Sequence, residues 1–194
     1  MMENIGLKRN NNEKYYTNID IIELIGNYIK KYINIKNNDL IIEPSAGNGA
    51  FIDLIKSYDC KHKFIDIEPE NEVIDKTDFL QYNPNGDYDN IHIIGNPPFG
   101  RQSSLAIKFI KKAAIYSNSI SFILPKSFKK ESMKSKFPLN YHLIFETDLP
   151  EDSFNINGKV HNVPCIFQIW EQRNYNREIV KKLEPKGFTF VKKE

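Results

Sequence analysis

The run Ile91-His92-Ile93-Ile94 breaks off at Gly95-Asn96-Pro97-Pro98-Phe99-Gly100, and that break constrains the fold more than any other stretch. A short run of β-branched residues bounded by turn formers reads as a buried strand. The two adjacent prolines fix two φ angles and donate no backbone N–H. The loop at the strand's carboxyl end is therefore stiff and rich in acceptors, namely the Asn96 side-chain oxygen and the Pro97 carbonyl, with the flat ring of Phe99 directly beyond. Such a loop suits a planar group carrying an NH2. A strand followed by an ordinary proline turn has the same local pattern, so the surrounding chain has to decide.

Other runs repeat the theme. Asp39-Leu40-Ile41-Ile42-Glu43 leads into Pro44-Ser45-Ala46-Gly47-Asn48-Gly49-Ala50-Phe51, which reads as a buried strand, a loop of small residues, and a helix reaching about Tyr58. Glycines at 47 and 49 let the backbone approach a ligand closely, and the helix start offers N–H groups to a carboxylate. His62 to Pro69 is a second strand, and Asp66 lies about 20 residues past the glycines, where a strand-end acid binds ribose hydroxyls. Equally, it can be a surface acid. Ser119 to Leu124 is a buried strand stopped by Pro125; Tyr141 to Thr147 and Val163 to Trp170 are two more, joined by a loop with Asn157-Gly158 near its tip. Helical spacing covers Ile19 to Ile33, capped by Thr17 or Asn18, and Leu105 to Ala114, capped by Ser103 or Ser104. In the tail, Asn176 to Leu183 reads as helix and Gly187 to Val191 as strand.

A chain of 194 residues, 40% hydrophobic and 27% charged, supplies one ordinary core. The net charge of +2 is too small to imply a polyanionic partner by itself. Local clustering argues better: Lys126, Lys129, Lys130, Lys134 and Lys136 follow the Ser119 to Leu124 strand and fall on the same rim as the Asn96 loop. They either hold nucleic-acid phosphates or solvate an outer face. Cys60 and Cys165 are far apart, and with four histidines no zinc-ligand spacing occurs, so no metal is expected and both thiols read as reduced, in an intracellular protein. No segment approaches the roughly 20 apolar residues that span a bilayer, and Met1 to Glu13 has no secretory h-region.

Asn96-Pro97-Pro98-Phe99, taken with Glu43-Pro44-Ser45-Ala46-Gly47-Asn48-Gly49-Ala50-Phe51, resembles the S-adenosylmethionine-dependent N6-adenine methyltransferases whose cofactor motifs precede the catalytic loop. The resemblance spans roughly Lys14 to Trp170, with the motifs in the family's order. It implies a Rossmann-like class I methyltransferase: an α/β fold with a mostly parallel seven-stranded sheet and a terminal antiparallel hairpin. It further implies that Asn96, Pro97 and Phe99 handle the acceptor base. S-adenosylmethionine would meet Tyr16 and Thr17 at its methionine part and Glu43, Pro44, Ser45, Ala46 and Gly47 at the glycine loop. Asp66 would take the ribose, with Glu68 second and Ile67 beside them; Asp78 and Phe79 would cradle the adenine, with Asn96 and Pro98 closing the site. The segment Asn162-Val163-Pro164 would border a flipped base.

The chain departs from the family in two places. Asn18 stands where proline is common. Only about ten residues separate Ile67 from Asp78, fewer than the dozen or so a parallel crossover needs, so one crossover helix is expected to be reduced. The division expected is a flexible arm at 1–13, a methyltransferase domain at 14–171 and a short extension at 172–194, too short for target recognition. Sequence specificity then falls to substrate shape or to a partner protein. Two alternatives share the motifs: methylation of a glutamine amide in a protein, and a non-catalytic subunit that binds cofactor or nucleic acid.

Overall fold

Period-two alternation of large apolar residues builds a sheet buried on both faces. In the computed structural model Ile41, Ile94, Ile123 and Phe167 point to one side, Ile42, Ile93, Phe122 and Ile166 to the other. The structure describes residues 16–151, 153–156, 159–161, 163–179 and 187. Its strands are β1 Tyr16–Thr17, β2 Leu40–Glu43, β3 Lys61–Asp66, β4 Asp75–Lys76, β5 Ile91–Gly95, β6 Ser119–Pro125, β7 Tyr141–Asp148, β8 Phe154–Ile156, β9 Lys159–His161 and β10 Cys165–Gln172. The helices are α1 Ile19–Tyr32, α2 Ile52–Lys56, α3 Ser104–Ala113 and α4 Glu131–Lys134.

Seven strands form one sheet in the order β4-β3-β2-β5-β6-β10-β7. Neighbouring pairs from β4 to β6 are parallel, and β10 runs antiparallel to both β6 and β7. The expected α/β architecture with its terminal antiparallel strands is therefore present. From β2 the chain first builds outward through β3 and β4, then returns to place β5 on β2's other side, with Leu40 opposite Ile91 and Ile42 opposite Ile93. Strand order reverses between β2 and β5, where open α/β sheets bind ligands outside the strands' carboxyl ends. α1 and α2 cover one face; α3 covers the other through Ala106, Phe109, Ile110 and Ala113.

The short β3 to β4 connection contains turns and no helix, and β4 survives as two residues beside Ile65 and Asp66. The next connection, 77–90, is also free of helix. Only one reduced crossover was expected, so this second one is a correction. Phe79 fills the missing helix's place, 1% exposed and packed on Phe109 with ring centroids 5.2 Å apart.

Serine capping of α3 is also corrected. Ser103 sits at the cap position in the left-handed region (φ 61°) and makes no side-chain cap bond. Instead the Phe99 carbonyl accepts from Leu105 N (3.2 Å) and Ala106 N (3.3 Å), which fastens the proline loop to the helix start. Asn18 is the α1 cap, again without a side-chain cap bond. Residues Asn176–Ile179 of the expected tail helix are not helical, because Arg177 ties them to the β6–β7 connection. Its guanidinium donates to the carbonyls of Phe137 (2.7 Å), Lys134 (3.1 Å) and Tyr141 (3.0 Å) and lies over Trp170. The remainder of that helix, the strand Gly187 to Val191 beyond Gly187 itself, and the arm at 1–13 lie outside the described residues.

At the amino ends of the strands Asp39, His92 and Ser119 form a buried chain, with His92 Nε2 3.1 Å from Asp39 Oδ2 and His92 Nδ1 2.8 Å from Ser119 Oγ. Burial lowers the His92 pKa, against the opposing pull of Asp39, so the ring stays neutral at neutral pH. The group binds its proton less readily folded than unfolded. Stability should therefore fall as pH drops below the ordinary histidine value of about 6.5. Replacing His92 with alanine removes one partner of Asp39, which is 0% exposed and keeps the bonds from Lys36 N and Asn90 Nδ2. Denaturant unfolding of His92→Ala should show a loss of about 1–2 kcal/mol, the scale of a buried hydrogen bond, and a loss below about 0.5 kcal/mol would remove this chain from the stabilising interactions.

Candidate active site

The carboxyl ends of β2 and β5 bring together the two loops singled out by sequence. Ser45 Oγ donates to the Asn96 carbonyl at 3.1 Å. A Cβ on Gly95 would lie 3.4 Å from both Glu43 Cγ and Pro44 Cδ, so a side chain there would press on the neighbouring loop.

The glycine loop is held from below by Asp66 at the end of β3. Its carboxylate accepts from Gly47 N (2.7 Å) and Glu68 N (2.8 Å). Gly47 N–H is thus committed within the chain and is not the free donor expected from a helix start. A carboxylate has about four acceptor sites, so two remain on Asp66. Above Gly47, at φ +53°, a Cβ would meet nothing within 4 Å. The loop's upper side is open.

Glu43 is 1% exposed, and its Oε2 has no hydrogen-bond partner. Its pKa is pushed up to about 8, first by burial and second by the negative charge of Asp66. An orphaned buried acid beside an open glycine loop and a second acid can accept a hydrogen bond from a cationic donor group. Pro44 and Ala46 are buried behind it, and Ala46 N is anchored to the Ile65 carbonyl. Ile67, next to Asp66, is an aliphatic side chain 61% exposed at the same rim. Asp78 is exposed too; its Oδ1 accepts from Leu80 N at 2.9 Å. The Phe79 ring is buried against Phe109 and Tyr116.

On the β5 side, Asn96 Nδ2 donates to Thr17 Oγ1 at 3.4 Å. Among the described residues nothing donates to Asn96 Oδ1 or to the Pro97 carbonyl. Pro97 is buried, Pro98 exposed, and Phe99 half-buried against the α1-side core. Sequence reading missed how Thr17 arrives there. Between β7 and β10 the chain forms a hairpin, β8 with β9, and β1 adds to its edge with Thr17 opposite Phe154 and Tyr16 opposite Asn155. The signal was available in Asn157-Gly158 flanked by β-formers, although those two residues lie outside the described ones. Asn162 does as well, while Val163 packs on the core and Pro164 O accepts from Lys126 N.

The lysines run from this rim toward the other end of the sheet: Lys126 follows β6 directly, whereas Lys136 adjoins Phe137, which stacks on Trp170 beside Ile120 at the amino end of β6. Lys126 and Lys129 reach Asp148 at 3.3 and 2.6 Å, and Lys134 reaches Glu146 at 3.4 Å. Lys130 and Lys136 are exposed and, among the described residues, without an acidic partner. Neither cysteine is bonded, and burial pushes the Cys165 thiol up to about 12. Among the described residues no helix is long and apolar enough to cross a membrane.

The strand order, the antiparallel β10 and the paired loops at the reversal define the class I methyltransferase fold. The family model of the EDM2 methyltransferase-like domain matches residues 34–180, and the chain belongs to that family. Solved structures with this fold include a candidate RNA methyltransferase from Pyrococcus horikoshii, 14% identical with a TM-score of 0.63 over 86% of this chain and 91% of that one. A candidate class I S-adenosylmethionine-dependent methyltransferase from Listeria monocytogenes is 16% identical, with a TM-score of 0.61 over 92% of this chain and 66% of that one. The methyltransferase subunit of a type I restriction-modification system from Streptococcus thermophilus is 12% identical with a TM-score of 0.62 over 84% of this chain, which spans 46% of that subunit. No curated protein matches the chain.

Proposed function

We propose that this chain transfers a methyl group from S-adenosylmethionine to the exocyclic N6 amine of adenine in nucleic acid. The observation that carries the reading is the pair of unspent acceptors, Asn96 Oδ1 and the Pro97 carbonyl, on a loop locked by Ser45 to the loop that holds the orphaned Glu43.

The residues present fit the methyl donor. Glu43 would take its ammonium, the Pro44 to Gly47 backbone its methionine part, Asp66 its ribose, and Ile67 and Asp78 its adenine. Bound there, S-adenosylmethionine supplies an electrophilic methyl group on a sulfonium. The chain's own task is then to make a poor nucleophile competent. Adenine's amine nitrogen spreads its lone pair into the ring; accepting its two hydrogens on Asn96 Oδ1 and Pro97 O favours a pyramidal nitrogen and localises that pair. Positioning of this kind supplies much of the acceleration in a displacement. Asn96 is neutral and places no charge in the pocket, and the methylated nitrogen is acidic enough to release its proton to water.

Phe99, fixed by the core on one side, is the surface on which the base stacks, after flipping if the substrate is duplex. Lys130 is exposed and free for phosphates, and the pairs that Lys126 and Lys129 make with Asp148 are solvent-exposed and weak, so a phosphate can displace them. Incubation with isotope-labelled S-adenosylmethionine and separate pools of duplex DNA, single-stranded DNA, RNA and protein tests the reading. Label should enter a nucleic-acid pool. Label on a protein glutamine, or cofactor binding with no transfer to any pool, would overturn it.

A further inference from the structure

The contact between Thr17 and Asn96 joins residues 79 positions apart, and it depends on the two-residue strand β1. β1 is two residues long and would not persist alone. It is held by pairing with β8, by Asn18 N donating to the Ser153 carbonyl at 3.1 Å, and by the buried Phe154, 1% exposed in the α1-side core. Ser153 is 0% exposed and its hydroxyl donates to the Pro150 carbonyl at 2.5 Å, which pins the entry to the hairpin. The hairpin therefore works as a bracket that carries one hydroxyl to one amide.

An asparagine amide has a donor end and an acceptor end of nearly equal size. Turned by half a rotation, Asn96 would present NH2 to an incoming amine, two donors facing each other. In the structure Thr17 Oγ1 is placed as the acceptor of Nδ2 at 3.4 Å, so the amide is held with its nitrogen toward Thr17 and Oδ1 turned away from it. From this geometry we propose that Thr17, delivered by the β1–β8–β9 bracket, is a positioning residue that holds the Asn96 amide with Oδ1 toward the acceptor. The inference rests on the reading of Asn96 given above and adds a role for Thr17 separate from any contact with the methyl donor.

The full chain is compared with Thr17→Val, Thr17→Ser, Asn96→Ala and the Thr17→Val/Asn96→Ala double variant. Two readouts are used: single-turnover methyl transfer with cofactor and nucleic acid both saturating, and solvent exchange of the Asn96 side-chain NH2 by NMR, its signal identified by its loss in Asn96→Ala. Thr17→Val should slow the saturated step about tenfold, the effect of one lost hydrogen bond of about 1.4 kcal/mol, and should speed Asn96 NH2 exchange severalfold. Thr17→Ser, which keeps the hydroxyl, should restore both to within about twofold. In the Asn96→Ala background the valine substitution should add nothing. A Thr17→Val defect that disappears on raising the cofactor concentration, or unchanged Asn96 NH2 exchange, would overturn the positioning role and leave the Asn96 reading standing. Full activity in Asn96→Ala would instead remove the reading on which it rests. If Thr17→Val fails to fold, Thr17→Ala is read by the same two measurements.

Discussion

Asn96→Ala should lower kcat by roughly a thousandfold, the scale of losing a preorganised polar group at a reacting centre, while the affinity for S-adenosylmethionine stays within about threefold of the parent. The split follows from where the side chain stands. Its Oδ1 is an acceptor with no donor among the described residues, and its backbone carbonyl, which the substitution keeps, is what Ser45 holds. Removing the side chain therefore deletes the contact with the acceptor amine and spares the lock between the loops. Calorimetric titration of the cofactor beside steady-state kinetics measures both quantities. Near-parental turnover would show that the loop does not act through Asn96, whereas a loss of cofactor affinity as large as the loss of rate would make Asn96 a part of the cofactor pocket alone.

Glu43→Gln should make the empty protein more stable in mildly alkaline solution and at the same time weaken cofactor binding about tenfold to a hundredfold, as expected for losing a charge-assisted hydrogen bond of about 1.5–3 kcal/mol. The folded pKa of Glu43, pushed up to about 8, lies well above the ordinary carboxylate range. Its stabilisation is thus complete below the unfolded pKa and is lost as pH rises through the interval up to about 8. His92 changes stability in the opposite sense, over a range that ends about one unit above its ordinary value of about 6.5, but both proteins carry it, so it cancels in their comparison. From pH 6.5 to 8 the parent should lose about 2 kcal/mol from this one group, and Glu43→Gln should not. A cation bound beside Glu43 favours its ionised form, so cofactor affinity in the parent should climb with pH over the same window and stay flat in the variant. Equal pH slopes for the two proteins would mean that Glu43 is not the site's buried acid.

Sequence patterning made the sheet and its two loops legible because each rests on local chemistry: β-branched runs stop at proline or glycine, and those stops fall at strand ends. The short interval from Ile67 to Asp78 correctly foretold a crossover without its helix. The second helix-free crossover was hidden because Phe79 substitutes for a helix by packing on Phe109, a contact between residues 30 positions apart that no local pattern encodes. The same ring, which the motif places beside a ligand, is 1% exposed and belongs to the core. Ser103 looked like a helix cap by type, yet the prolines upstream place the Phe99 carbonyl where the cap is needed. Thr17 was legible as part of a cofactor motif, but its link to Asn96 arises only from the pairing of β1 with β8, distant in sequence. Lysine spacing marked a basic stretch and could not reveal that Asp148 and Glu146 neutralise part of it from β7.

The identity of the atom that receives the methyl group bears most directly on the chemistry proposed for these two loops. Nucleic acid treated with the protein and deuterated-methyl S-adenosylmethionine, digested to nucleosides and separated by liquid chromatography with mass spectrometry, should yield N6-methyladenosine or its deoxy form carrying the label. Label on a ring carbon, a ring nitrogen or a ribose oxygen, with none on an exocyclic amine, would contradict an amine-accepting loop built from Asn96 and Pro97.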